Sequence, residues 1–219
     1  MTTLLRSLVI AACAASLACL PQDAGAQRLT FVGGLTFSKL RGIDEVKAEN
    51  RSGTLFGVSL NVPVGSTWSL QPEALFISKG GKFGSTDPAT GDQEVKLDYV
   101  EVPLLLRRNL VNSTVLVPHV YAGPTISFNI NCSIRLRGNT AVPSPDSDCE
   151  RNDFKPKTFD WGAAVGAGVD LALGGFGVTA GARYGVGISS VVEDGGTAFP
   201  DRVRNGTFAV YAGLRLMGF

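Results

Sequence analysis

Apolar and polar residues alternate one by one along most of the chain after residue 27. In the segment 54–62, one face would carry only large apolar side chains and the other a more mixed set (Phe56, Val58, Leu60 and Val62 against Leu55, Gly57, Ser59 and Asn61). The segment 159–171 shows the same repeat, with one apolar face and one small, polar face. A repeat of two residues predicts β-strands whose two faces meet different surroundings.

The repeat predicts eight strands, joined by connections that alternate in length. The strands are expected at about 28–37, 53–63, 68–78, 95–106, 116–130, 158–172, 176–189 and 206–218. The connections 63–67, 107–115 and 173–175 are short, whereas 38–52, 79–94, 131–157 and 190–205 are long and polar. In an antiparallel meander, the short and the long connections therefore lie at opposite ends.

Two architectures fit such a meander, a soluble barrel with an apolar interior and a membrane barrel whose apolar face points outward. The strands, each about 10 residues long or more, suit a tilted bilayer crossing. The polar face is rich in Gly, Ala and Ser with few charges, which suits a narrow lumen better than a water-exposed wall. Lipid also requires every backbone group to be paired, which only a closed sheet allows. We therefore predict an all-β fold, an eight-stranded antiparallel transmembrane β-barrel of up-and-down topology.

The first residues have the features of a secretory signal peptide. Arg6 precedes an apolar run from Leu8 to Leu20, and the small residues Ala24-Gly25-Ala26 come before Gln27. We expect residues 1–26 to be removed and 27–219 to form one barrel domain. An alternative is lipidation at Cys13, because the residues before it resemble a lipobox.

Two cysteines stay in the exported part of the chain. Cys132 and Cys149 flank a Gly, Pro, Ser and Asp-rich segment, which predicts a disulfide that closes an external loop. The competing interpretation is a metal site, for which two cysteines without nearby histidines supply too few ligands.

Counting the alternation through strand 95–106 places a carboxylate inside the barrel. Val100, Val102, Leu104 and Leu106 would face lipid and Glu101 the lumen, with Arg107 and Arg108 at the periplasmic border. The same counting turns six charged side chains inward: Glu73, Glu101, Asp160, Asp170, Arg183 and Arg215. An arginine facing mid-membrane lipid costs about 2–4 kcal/mol, which fixes the inward direction of Arg215.

This lumen set has a structural and a functional interpretation. An eight-stranded barrel is just wide enough for side chains to fill, so a buried ion-pair network is expected, with Glu73 and Glu101 near Arg183 or Arg215. The alternative is a pair of carboxylates for acid/base chemistry or ion binding. Near Lys79 to Glu94, the residues Asp87, Asp92 and Glu94 could likewise bind a divalent cation or form a solvated acidic turn.

Charge and the single histidine argue against two other classes of protein. The net charge of +1 gives no basic bias towards nucleic acid. His119 shares a strand with Ser127, but eight residues of strand separate them by roughly 27 Å, so they cannot form a dyad. We expect neither an enzyme nor a bound cofactor.

Four stretches together resemble a known family: "GGLTFSKLRG", "LQPEALFISKGGKF" at 70–83, "LDYVEVPLLLRRNL" at 97–110 and "PHVYAGPTISF" at 118–128. They are similar to the PorT-like outer-membrane β-barrel proteins and, more distantly, to small barrels of the OmpX and OmpA type. The resemblance implies an integral protein of the outer membrane of a Gram-negative-type bacterium.

The predicted membrane barrel also leads to expectations about the topology, the partners and the role of the protein. Both termini are expected in the periplasm, with Phe219 as a final aromatic residue for the insertion machinery. The other expected partners are membrane lipid, lipopolysaccharide and an external ligand or protein at the loops. The expected function is a structural or interaction role in the cell envelope. The alternatives are a small-solute pore and an accessory of an envelope export system.

Overall fold

Eight long antiparallel strands form the fold. The computed structural model describes residues 27–41, 48–83, 92–111, 113–137, 147–149, 157–189 and 204–217. The long strands are β1 (Arg28–Arg41), β2 (Arg51–Pro63), β3 (Trp68–Phe83), β4 (Asp92–Asn109), β5 (Leu116–Arg137), β6 (Phe159–Ala172), β7 (Phe176–Gly187) and β8 (Arg204–Met217). Two-residue strands, Ala48–Glu49 and Ser147–Asp148, pair with β3 and β5. The described residues include no helix long and apolar enough to cross a membrane.

The sheet closes on itself. Each long strand pairs antiparallel with its neighbours in sequence, and β1 pairs with β8. The prediction of a closed eight-stranded barrel is therefore confirmed. The pairing advances by about ten residues on one circuit. With strands about 4.8 Å apart and a rise of about 3.3 Å per residue, this offset corresponds to a tilt of about 40° and a radius of about 8 Å.

The two ends of the barrel differ, as the connection lengths predicted. The turn end carries residues 64–67, 110–111, 113–115 and 173–175 between strands, together with the first residue of β1 and the last of β8. The other end, called the loop end, is the one at which the strands lead into the four longer connections of the sequence. Strands β3, β4 and β5 extend further towards the loop end than predicted, because polar and glycine-rich residues that look like loop continue the ladder there. The predicted signal peptide 1–26, with Cys13, and the residues Asp87 and Phe219 lie outside the described residues.

Side chains on the two faces of the wall follow the alternation. Val100 and Val102 are 38% and 43% exposed on the outer wall, whereas Glu101, which lies between them in the chain, is only 5% exposed. On β8, Leu214 is 46% exposed and Arg215 only 4%, so Arg215 points into the barrel. The outer wall is thus apolar and the inner wall bears most of the polar groups.

A β-bulge changes the phase of β5 near the loop end. Asp98 of β4 pairs with Asn131, whereas the next residue, Tyr99, pairs with Asn129, so Ile130 is an extra residue on β5. Beyond this point the even-numbered residues of β5, including Cys132, turn towards the interior.

Near this end, part of the inner wall is apolar. Buried residues of β2 to β5 and of β8 form a cluster with Cys149 (Leu55, Leu75, Ile77, Val95, Leu97, Tyr99, Ile134 and Ala209). Cys132, next to this cluster, forms the predicted disulfide with Cys149, with 5.6 Å between the two Cα atoms. The disulfide therefore joins β5 to the short strand Ser147–Asp148, and Cys132 lies in a strand rather than in a loop.

Candidate functional site

Charged side chains line the inside of the barrel from end to end. Nine of them are buried in the part of the chain that the structure describes, five cations and four anions: Arg51, Lys79, Arg107, Arg183, Arg215, Glu73, Glu101, Asp160 and Asp170. Asp98 is also buried, but it lies on the face of β4 opposite to Leu97 and Tyr99 and pairs with Lys96. Buried charges are stable only when they are paired and hydrogen-bonded. How these groups pair therefore defines the candidate site.

At mid-height an ion pair spans the barrel. Arg183 of β7 donates from Nη2 to Oε2 of Glu73 on β3, at 2.8 Å. In the closed ring, β3 and β7 lie four strands apart, on opposite walls. Gln71 donates to the other oxygen of Glu73 at 2.7 Å, so both oxygens of this carboxylate have a partner.

Two tyrosines pack beside this pair in the lumen. The Tyr121 hydroxyl donates to that of Tyr211 at 3.0 Å, and the Arg183 guanidinium lies 5.7 Å from the centre of the Tyr121 ring. Glycines make room for them, because a Cβ at Gly166 or Gly181 would collide with the Tyr121 or Tyr211 side chain. The small residues of β6 and β7 thus serve internal packing.

At the turn end, one carboxylate binds two arginines. Asp170 Oδ2 accepts from Nη2 of Arg107 at 2.5 Å and also from Nη1 of Arg215. His119 is buried beside them, with Nδ1 3.8 Å from Asp170 Oδ1 and 3.4 Å from the carbonyl oxygen of Val117. This level has one more cation than anion.

At the loop end, the charge surplus is negative. Lys79 donates to Glu101 Oε2 at 2.5 Å, and Ser127 donates to the same oxygen at 3.0 Å. Asp160 accepts a hydrogen bond from Ser189, and no cation of the described residues lies within ion-pair distance of it. Asp160 is therefore a buried carboxylate without an ion-pair partner.

The six charged residues predicted for the lumen are all buried, and one of the predicted pairings, Glu73 with Arg183, is present. The structure brings Glu73 to Arg183 and Asp170 to Arg215. Glu101 pairs with Lys79 instead of either predicted arginine, and no cation among the described residues lies within ion-pair distance of Asp160.

Sequence reasoning missed Lys79 and Arg107 as lumen residues. Lys79 lay in a predicted loop because two glycines follow it, although the alternation 73, 75, 77, 79 continues without a break. Arg107 was placed at the border, but the alternation that turns Glu101 inward also turns Arg107 inward. In both cases, continuing the two-residue alternation along the strand would have predicted an inward side chain.

The residues considered for catalysis or cation binding lie apart from one another in the structure. Ser127 belongs to the Lys79–Glu101 group at the loop end, whereas His119 lies at the turn end beside Asp170. Glu94, part of the acidic turn considered for a cation, pairs with Arg51 at 3.0 Å. Among the described residues, no three His, Cys, Asp or Glu side chains are arranged to hold a metal ion.

Comparison with known proteins agrees with the barrel architecture. Residues 22–193 match the family described as the outer membrane protein β-barrel domain. Among solved structures, the chain is similar to the outer membrane protein OprG of Pseudomonas aeruginosa, with a TM-score of 0.50 and 13% identity over 89% of this chain and 98% of that chain.

Two further solved structures were found to be similar to the chain at low identity. Neisserial surface protein A has a TM-score of 0.49 and 16% identity over 86% of this chain and 96% of that chain. Ail, the attachment invasion locus protein of Yersinia pestis, has a TM-score of 0.42 and 13% identity over 86% and 98%. No curated protein matches the chain significantly.

Proposed function

The chain belongs to the family of outer membrane protein β-barrel domains, and from that premise we propose that it is a filled barrel with a structural or interaction role in the cell envelope. The barrel holds the chain in the outer membrane as an integral protein, and the long connections at the loop end meet external partners. On this proposal the protein is neither a pore for solutes nor an enzyme.

The observation that carries this proposal is the ion pair between Glu73 and Arg183. It joins opposite walls of a barrel with a radius of about 8 Å, and the Tyr121–Tyr211 pair fills the space beside it. Solute passage would require this level to open, which separates two buried opposite charges. The Asp170 group and the Lys79–Glu101 pair add further cross-links towards either end.

The outer wall supports a membrane-spanning orientation. Trp68 at the turn end and Trp161 towards the loop end both face outward, 41% and 51% exposed, and Arg108 lies 5.4 Å from the Trp68 ring centre. Aromatic residues with a basic neighbour suit the two headgroup layers of a membrane. We propose that the turn end and both termini lie in the periplasm. Lipid and lipopolysaccharide then contact the outer wall, the insertion machinery acts from the periplasmic side, and a ligand or protein binds at the loop end.

The arrangement gives no support for catalysis. His119 has a carboxylate neighbour but no described serine or cysteine nucleophile is hydrogen-bonded to it, and Ser127 is engaged with Glu101. The narrower grouping with PorT-like proteins, and with it a role in protein export, rests on the sequence motifs "LQPEALFISKGGKF" and "LDYVEVPLLLRRNL" alone.

Planar-bilayer conductance tests the filled barrel. The wild-type protein should give no stable single-channel steps. The double variant Glu73→Ala with Arg183→Ala removes the pair that spans the lumen, and it should give steps if it inserts, which shows that the assay can detect an open barrel. Stable steps from the wild type would contradict the proposal.

Cysteine labelling in intact cells tests the orientation and gives access to partners. Glu49→Cys, exposed at the loop end, should react with a membrane-impermeant maleimide, whereas Ser66→Cys, exposed in a turn at the other end, should react only after the outer membrane is permeabilised. The reverse pattern would invert the topology. A photo-crosslinker attached at Glu49→Cys should then capture an external partner, and one attached at Ser66→Cys provides the matched control.

A further inference from the structure

A small polar cavity lies inside the barrel near the loop end, away from the pair that spans its middle. It is lined by side chains of Lys79, Glu101, Thr125, Ser127, Asp160 and Asn205 and by backbone of β6 and β7. Its free space holds about one water-sized guest. The cavity therefore excludes a solute but admits a single water molecule or a dehydrated ion.

Asn205 is buried in this cavity without a hydrogen bond. Its side chain is 2% exposed, and neither its amide oxygen nor its amide nitrogen has a partner. The Tyr99 hydroxyl is likewise buried and lies beside Asn205 and Asn129, outside ordinary hydrogen-bond geometry. Unpartnered buried polar atoms are rare in proteins, and a small polar guest in the cavity can supply the partner that these atoms need.

The charges around the cavity favour a cation. Lys79 and Glu101 neutralise each other at 2.5 Å, which leaves the carboxylate of Asp160 as a surplus negative charge. Asp160 is 3% exposed, accepts a hydrogen bond from Ser189 and lies beside the Asn205 side chain. A buried carboxylate needs a counter-charge or a proton.

We propose that Asp160 and Asn205 bind one small monovalent cation, of the size of Na⁺, in this cavity. Oxygen donors suit such a hard ion, and the Asp160 carboxylate and the Asn205 amide oxygen, which both line the cavity, supply two of them. The single surplus charge matches a monovalent ion, because Glu101 is already held by Lys79. The bound cation joins β6 to β8 and satisfies the side chains that the lumen leaves without partners.

Cation-dependent stability tests the site. The purified protein in detergent is unfolded thermally in NaCl and in choline chloride of equal ionic strength, since choline is too large for the cavity. The wild type should have a higher midpoint in NaCl, because an ion that binds only the folded state stabilises it. Equal midpoints in the two salts would overturn the proposal and would indicate a proton or a water molecule at Asp160. Stabilisation by CaCl₂ but not by NaCl would also overturn it.

Two variants and one control locate the effect. Asp160→Asn should abolish the difference between NaCl and choline chloride. Gly187→Ala keeps every charge but places a Cβ 3.4 Å from Asp160 Oδ2, so it should reduce the difference by narrowing the cavity. Asp98→Asn removes another buried carboxylate, which pairs with Lys96 outside the cavity, and it should keep the wild-type difference. A difference that persists in Asp160→Asn would refute the assignment.

A direct measurement on the wild type needs no variant to fold. The ²³Na resonance should broaden when the protein is added and should sharpen again when excess Li⁺, a smaller competing ion, is titrated in. The control is an equal concentration of Asp160→Asn protein or, if that variant does not fold, of Gly187→Ala protein. If the wild type broadens the ²³Na resonance no more than this control does, the result counts against a bound cation.

Discussion

The pair between Glu73 and Arg183 provides the sharpest test of how the lumen is held together. Arg183→Met keeps a long apolar stem but removes the guanidinium and leaves Glu73, 8% exposed, without its counter-charge. Removing one partner of a buried pair typically costs about 3–5 kcal/mol of the free energy of unfolding. We expect a loss in that range.

The direct attraction between the two groups is of similar size. The atoms that meet are 2.8 Å apart, which places the two charge centres about 4 Å apart. At an effective dielectric constant of about 20, the attraction is about 4 kcal/mol. Glu73→Gln in the same chain keeps an oxygen for Gln71 and removes the stranded charge, so the double variant should be less destabilised than Arg183→Met alone.

Urea unfolding in lipid vesicles measures this difference. The two tryptophans of the chain, Trp68 and Trp161, both lie on the outer wall, so their fluorescence reports the loss of the lipid-facing barrel. Lys39→Met removes a cation from an exposed position on β1 and should leave the unfolding midpoint unchanged. If the losses of the two single variants simply add in the double variant, the pair makes no coupled contribution and the reasoning is wrong.

Three further variants can be measured in the same way. Arg107→Met should cost less than Arg183→Met, about 1.5–3 kcal/mol, because Asp170 keeps its second arginine; an equal or larger loss would show that Arg215 alone does not neutralise this carboxylate. Gly166→Val forces the Tyr121 side chain to move and should cost about 1–3 kcal/mol, whereas Gly33→Val, with open space around its Cβ, should be neutral; equal effects would exclude the packing explanation. Cys149→Ser opens a disulfide with a sequence separation of 17 and should cost about 3 kcal/mol, and dithiothreitol should destabilise the wild type by the same amount but leave the variant unaffected.

The direction of each side chain could be read from the sequence, because alternation is a local property of a strand. Glu101 and Val102 face opposite ways for the same reason that any two successive strand residues do. This is why the wall, its closure and the inward set of charges could be predicted.

The partners within the lumen could not be predicted, because they depend on the register of several strands at once. Lys79 reaches Glu101 only because β3 continues through Gly80 and Gly81, which in isolation indicate a turn. Gly80 has a φ of 133° and lies against the carbonyl oxygen of Val95, so it is needed inside the ladder itself. The glycine signal was real, but it marked a close approach between strands rather than the end of one.

The apolar cluster at the loop end was missed for a different reason. A single extra residue, Ile130, shifts β5 by one position relative to β4. No composition signal marks that residue, since isoleucine is ordinary in a strand. The phase of Cys132 and Ile134 therefore could not be derived by counting from the centre of β5.

The same bulge separates β5 into two segments that can change independently. Residues below Ile130 keep the alternation that the surrounding membrane demands, whereas those above it follow a second alternation set by the apolar cluster and the disulfide. A change in the length of the hairpin beyond Cys132 therefore need not alter which side chains meet lipid further down the strand. For protein engineering, this makes Ile130 the natural junction for grafting a foreign loop, provided that the grafted residues continue the alternation found beyond Ile130.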